Sequence, residues 1–280
     1  MIGRLLLGAL IGILPHCHPT PAPARRAPIE TWAFCGVNPN DPTAPKQAAV
    51  LARTAGIDAT FGPCLPPDWS TYTPATPGAR YMTPADYLRL VEINAAAGMR
   101  TVVYDARIWS DDPTTRSEAI EFWRPHTTWL AAFDMGDEFD TAEWPILTAR
   151  WATVWNEART ELGIDPYTNN LPWMLDQATL LEGDSVSFDL YDVSESLALA
   201  EQHRDVILTC AVNALHHNTF DPTPGSVEWT MQAHRNAGCD RLLIFGGTTP
   251  ENTPGFDSPS LVTRTGQPTA LARAVARGAR

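Results

Sequence analysis

The sequence predicts a single-domain α/β protein of the (β/α)8, or TIM-barrel, class. Eight short apolar stretches alternate with helical segments over about 250 residues, the usual extent of such a barrel. Several of these stretches are apolar without a break, as strands covered on both faces of a parallel sheet are. Polar residues collect where the stretches end, the face on which barrels carry their sites. A doubly wound sheet is the competing architecture, but neither Gly-x-Gly-x-x-Gly nor a Walker sequence follows the first strand.

Residues 1–28 stand apart from the expected domain, residues 29–280. Arg4 precedes the apolar run Leu5–Leu14, and a proline-rich stretch continues to Pro28. A basic start with an apolar core of about ten residues reads as a secretory signal, since a spanning helix needs ~20. Pro21-Ala22-Pro23-Ala24 offers small residues for cleavage, whereas Leu14-Pro15-His16-Cys17 lacks those of a lipoprotein box. The expectation is an exported protein, extracellular or associated with the cell envelope, with no stable membrane span after processing. A disordered tail with an apolar start is the alternative.

Strand one is expected over Thr31–Asn38, followed by a helix over Pro45–Ala55, and strand two over Ala59–Cys64. A proline-rich loop with Trp69, Tyr72 and Tyr81 leads to a helix that starts at Thr83-Pro84-Ala85-Asp86, an N-cap with proline in the first turn, and stops at Gly98. Strand three follows over Arg100–Arg107 and helix three over Thr115–His126. Strand four opens at Trp129 and runs into the acids Asp134, Asp137, Glu138 and Asp140. The longest helix spans Glu143–Leu162; its Trp144, Trp151 and Trp155 sit at helical spacing, as residues packed against a barrel do. Strand five is Pro166–Asn170, and strand six is Ser185–Tyr191, whose alternation puts Ser187, Asp189 and Tyr191 on one side. A helix over Ser194–His203, strand seven at Val206–Asn213, a helix over Gly225–Ala237, strand eight at Arg241–Gly247 and a last helix over Pro268–Arg277 complete the chain.

A hydrophobic fraction of 44% supports a substantial core. The formal charge of −12 argues against a nucleic-acid binder, which needs a basic stripe. Lys46 is the only lysine, a bias that suggests a GC-rich, actinobacterial or actinophage source. None of the five cysteines has C-x-x-C spacing, so metal binding through sulfur is not expected. Cys35 and Cys64 fall in the first two strands and are read either as a disulfide or as two buried thiols. Cys17, Cys210 and Cys239 are spaced as residues of separate elements.

The residues at the strand exits are Asn38; Asp105 and Arg107; Asp137 and Glu138; Asn169 and Asn170; Asp189, Tyr191 and Asp192; Asn213, His216 and His217; and Gly246 and Gly247. Trp109 and Trp173 lie just beyond. Carboxylates, amides and aromatics together suit a sugar: rings stack on aromatic faces while Asp and Asn satisfy hydroxyl groups. Gly-x-Ser-x-Gly occurs nowhere, which argues against a serine hydrolase of that type. His216, His217 and Asp221 could be read as a metal site, but adjacent histidines point in different directions.

This pattern resembles the TIM-barrel glycoside hydrolases of clan A. In that group strand four ends in Asn-Glu-Pro or Gly-Asp-Glu-Pro, and strand six can read Ser-x-Asp-x-Tyr-Pro. The matches here are Gly136-Asp137-Glu138, with Phe139 in place of proline, and Ser187-Phe188-Asp189-Leu190-Tyr191, with Asp192 in place of proline. The resemblance implies Glu138 as general acid/base, its pKa raised by burial and by neighbours such as Asp137. It implies a second carboxylate, Asp189 or else Asp105, and substrate binding by Asn38, Asp105, Asp137, Asn170, Tyr191, Trp109 and Trp173. It implies hydrolysis of O-glycosidic bonds in a polysaccharide or glycoconjugate, with no cofactor and no metal. One departure is plain: retaining members of the clan carry a glutamate at the end of strand seven, and residues 209–216 contain no acid. The alternative is a catalytically silent carbohydrate-binding protein or a virion structural protein that keeps the barrel. A metal-dependent hydrolase centred on Asp105, Asp189 and His216 is a third reading.

Overall fold

The computed structural model describes residues 29–63, 82–137, 157–170, 185–188, 194, 198, 207–214, 216–217, 221–248, 256–257 and 260–280. Its sheet is parallel: β1 (Glu30–Phe34), β2 (Ala59–Thr60), β3 (Arg100–Val103), β4 (Leu130–Asp137), β5 (Pro166–Asn170), β6 (Ser185–Phe188), β7 (Ile207–Asn213) and β8 (Arg241–Phe245). Each strand pairs with the next in sequence. β8 also pairs with β1, in the register Phe34↔Phe245, and so closes the sheet into a barrel.

Helices lie between the strands, α1 (Ala44–Val50) continued by a π turn at Leu51–Ala55, α2 (Pro84–Ala97), α3 (Pro113–Trp123) and α4 (Pro224–Ala237), and α5 (Ala270–Gly278) follows β8. Residues 157–162 are helical ahead of β5. The connection from β5 to β6 and most of that from β6 to β7 fall outside the described residues. A parallel α/β barrel sheet is therefore observed, while the complete eightfold β/α repeat remains an expectation. Among the described residues no helix is long and apolar enough to cross a membrane.

Period-2 alternation divides the strands between two cores. Trp32, Ala59, Phe61, Val102, Ala132, Tyr167 and Leu243 fill the barrel. Ala33, Val103, Phe133, Leu208, Cys210, Val212, Leu242 and Ile244 face the helices. β4 interrupts the rule twice. Thr101 pairs with Leu130 but Val102 pairs with Ala132, so Ala131 is an extra residue that lets Leu130 face the helices and Ala132 the barrel interior. A second irregularity falls between Asp134, paired with Tyr167, and Asp137, paired with Asn169.

Within the described residues the helix ends read from sequence hold, with small shifts, while residues 143–156 and most of 194–203 lie outside them. Thr83 and Thr223 each close a capping box, with Asp86 and Ser226 respectively. Gly98 and Gly238 end α2 and α4 in the left-handed conformation. Helix three starts earlier than Thr115 because Asp112 accepts the Thr114 and Thr115 N–H groups. It gives way to a 3-10 turn at Arg124–Trp129, so β4 begins at Leu130 and leaves Trp129 39% exposed.

The cysteines need a correction. Cys210 and Cys239 form a disulfide with Cα atoms 6.1 Å apart. The 29-residue separation hides a contact that the β7–β8 pairing creates, because Cys239 follows α4 and Asp240 N–H then donates to Leu208 O. Cys35 is disulfide-bonded as well, to a cysteine outside the described residues.

Candidate active site at the carboxyl-terminal mouth

The strand ends converge on an aromatic floor. Phe34, at the end of β1, stacks on Phe245 at the end of β8, with centroids 5.6 Å apart, and meets the edge of Phe61 at 5.4 Å. Beneath them Phe61, Tyr167 and Trp32 are mutually tilted, with centroids 5.3–5.9 Å apart. Trp32 and Tyr167 are fully buried, whereas Phe34 and Phe245 retain partial exposure toward the mouth. Asn213 shares their level and side through the Asn213↔Phe245 register, and Asn169 is buried at the end of β5. Flat apolar faces with amides at their margin suit a ring that carries hydroxyl groups.

β4 contributes the carboxylate. Asp134 pairs with the inward-facing Tyr167 and follows the outward-facing Phe133, so it lies on the barrel side and is half-buried. Its backbone carbonyl accepts a hydrogen bond from Trp109 Nε1 at 3.1 Å, which brings the β3–α3 loop to the exit of β4. The Tyr87 phenol is pushed well above its ordinary value, chiefly by burial and next by the charge of Asp134. Tyr87 thus remains a neutral phenol beside this carboxylate.

Asp105 serves a different role. Asp105 follows Tyr104, which packs in the helix-side core, and its carboxylate meets Trp123 of α3. The Asp105 carboxylate is 3% exposed and accepts hydrogen bonds from Trp123 Nε1 at 2.8 Å, Arg107 Nη2 at 2.7 Å and Arg107 Nε at 3.0 Å. These bonds raise the pKa of Arg107, whose guanidinium lies 5.0 Å from the centre of the Phe122 ring. Asp105 therefore anchors the β3–α3 turn to α3.

Asn38 is half-buried, and its Oδ1 accepts the Asn40 N–H at 3.0 Å, which shapes the β1–α1 turn. Asp137 is the last residue of β4 and Asn170 the last of β5, with Asp137 in register with Asn169. Glu138, Asp189, Tyr191 and Trp173 lie outside the described residues. The structure thus brings Trp109 to the exit of β4 and turns Asp105 away from it. Asp134, Phe34 and Phe61 were missed as site residues. Period-2 counting from Trp32 and from Ala59 would have found Phe34 and Phe61. Among the described residues, the one group of His, Cys, Asp and Glu close enough to hold a metal ion is Cys210, His234 and Cys239, on the helix side of β7.

No family model matches this sequence, and no curated protein matches it. Solved structures do resemble the fold. An endo-β1,6-glucanase superposes with a TM-score of 0.58 at 11% identity, over 89% of this chain and 76% of that one. A Bacteroidetes-affiliated GH5 cellulase linked with a polysaccharide utilization locus gives 0.55 at 13% identity, over 90% and 91%. A mutant of xylanase A from P. fluorescens subsp. cellulosa, in complex with xylopentaose, gives 0.51 at 12% identity, over 90% and 97%. At these identities the likeness concerns the fold.

Proposed function

We propose that the chain is a (β/α)8 glycoside hydrolase of a polysaccharide or glycoconjugate, with Glu138 as general acid/base and Asp189 as the second carboxylate. The observation that carries this reading is where two strands end: β4 at Asp137 and β6 at Phe188. Glu138 and Asp189 are each the next residue in the sequence, and the carboxyl-terminal strand ends are where barrels do chemistry. The aromatic floor supports stacking of a sugar ring, and the fold neighbours include a glucanase, a cellulase and a xylanase. Glu138 would protonate the leaving oxygen. Asp189 would act as nucleophile if the carboxyl groups stand about 5 Å apart, or would activate water if they stand roughly 6.5–9.5 Å apart. The signal-like segment and two disulfide-bonded sites, Cys210–Cys239 and Cys35, support export to an oxidising compartment.

One observation favours a second reading, a silent glycan-binding or virion barrel. β7 places Thr209, Ala211 and Asn213 on the inner side and ends in an amide, where retaining members of the resembled clan carry a glutamate. Reducing-sugar release from bacterial cell-wall and plant polysaccharides, compared between the full chain and Glu138→Gln, separates the two. Hydrolysis should fall at least ~100-fold in the variant, the scale of lost general acid catalysis, with glycan binding kept. Equal activity in both proteins would remove Glu138 from the mechanism. Binding without turnover in either would establish the silent barrel.

A further inference from the structure

We propose that the Cys210–Cys239 disulfide is the oxidised form of a buried soft-metal site, in which Cys210 Sγ, Cys239 Sγ and one imidazole nitrogen of His234 bind a thiophilic divalent cation such as Zn2+. The ligand atoms of the three residues all lie within 4.8 Å of one another, although only two of the residues are joined covalently. Cys210 and His234 are completely buried and Cys239 is 6% exposed. This site goes beyond the glycan reading. Cys210 belongs to the core between β7 and the helices, so the cluster lies on the opposite face of β7 from the barrel interior.

Local structure places the ligands before any metal arrives. His234 sits in the last turn of α4; Gly238 ends that helix in the left-handed conformation, and Cys239 N–H donates to His234 O at 3.2 Å. One helix end therefore delivers an imidazole and a sulfur at a spacing of five residues, and β7 brings the second sulfur to face them. Two thiolates and an imidazole are a zinc donor set, with Zn–S near 2.3 Å and Zn–N near 2.0–2.1 Å.

Conversion between the two forms is a balanced exchange. A dithiol reductant transfers two electrons and two protons to the Cys210–Cys239 bond and leaves as its own cyclic disulfide. The S–S bond breaks and two thiols form. The cation then displaces both thiol protons to solvent and binds two thiolates and the neutral imidazole. In either form β7 is stapled to the end of α4, covalently when oxidised and through the metal when reduced.

The test uses the full chain, oxidised or reduced with a dithiol and then freed of reductant without air, and titrated with Co2+ and Zn2+. Reduced wild type should take up one Co2+ with sulfur-to-cobalt charge-transfer absorption and tetrahedral visible bands. Zn2+ should displace that Co2+ and raise the Tm of the reduced protein, while the oxidised protein shows neither band nor Tm shift. Other cysteines are reduced too, so His234→Gln, which keeps every cysteine and the disulfide, is the decisive variant. Loss of a direct ligand should weaken Zn2+ binding by at least the roughly 10–100-fold known for lost second-shell partners. Equal affinity in wild type and His234→Gln, uptake by an unfolded reduced chain as seen by circular dichroism, or no uptake at all would each overturn the site.

Discussion

At the amino-terminal mouth of the barrel the described charges Glu30, Arg100, Arg241 and Asp58 tie the strands together, whereas the carboxyl-terminal half carries a half-buried acid and partly exposed rings. Glu30 accepts hydrogen bonds from Trp32 Nε1 at 2.9 Å, from Arg241 Nε at 3.0 Å and from Arg100. The Arg241 guanidinium lies 3.8 Å from the centre of the Trp32 ring, a cation–π contact that seals the barrel floor. Asp58 is held above its ordinary pKa chiefly by burial, opposed by a bond from Thr31 N–H and reinforced by the charge of Glu30. At the other mouth Asp134, Phe34 and Phe245 keep partial exposure. The difference teaches where each mouth spends its polar groups: one end on holding the strands together, the other on surface that a ligand can occupy. Substitutions should therefore separate into losses of stability at one mouth and losses of function at the other.

The largest effect on stability is expected from Trp32→Ala. Trp32 is fully buried, packs on Phe61 and Tyr167 and carries Arg241 on its face. Truncating a buried tryptophan costs about 3–5 kcal/mol, which urea unfolding would measure. A loss under 1 kcal/mol would mean that the barrel interior is not packed around this ring.

Glu30→Gln comes next and has a pH signature. Burial alone would raise the Glu30 pKa, but the charge of Arg241, the bond from Trp32 and the charge of Arg100 outweigh it, so the net shift is downward from 4.5. A depressed folded value means stability that is present above the unfolded pKa and lost as pH falls through the folded one. The variant should lose roughly 2–3 kcal/mol at neutral pH, less than the ~3–5 kcal/mol of a fully buried pair because Glu30 is 26% exposed. The gap between wild type and variant should narrow as pH falls below 4.5 and close below the depressed folded value. A pH-independent difference would show that the ion pairs are not its source.

The strand order was legible because parallel strands covered on both faces announce themselves as apolar runs, and the helix ends at Thr83, Gly98 and Gly238 because those residues carry cap chemistry; the Thr223 cap was not read. Side-chain direction was less so. Asp105 looks like a strand-exit acid, yet its carboxylate is buried against α3 and serves Trp123. In β4 the extra residue at Ala131 makes Leu130 face out and Ala132 face in, so no count by twos from the start of the run assigns Asp134 correctly. The Cys210–Cys239 pair was illegible for a third reason: its proximity comes from strands pairing across a helix, which spacing alone does not encode.

Asp134→Asn should have the smallest effect on stability and sharpens the comparison most. The carboxylate is half-buried at the exit of β4, and the Trp109 bond goes to the Asp134 backbone carbonyl, so the amide keeps that contact and much of the shape. A change within about 1 kcal/mol is expected, as for substitutions outside a packed core. The charge beside Tyr87 disappears, and with it one cause of the raised phenol pKa, which should move down while burial keeps it elevated. In the proposed hydrolase a carboxylate that accepts a sugar hydroxyl contributes a charged hydrogen bond of about 1.5–3 kcal/mol, so kcat/KM should fall roughly 10- to 100-fold. Calorimetry beside reducing-sugar kinetics reads both quantities. If Asp134→Asn instead costs as much stability as Glu30→Gln and leaves kcat/KM unchanged, Asp134 is structural, and the division of labour between the two mouths fails at the residue chosen to represent it.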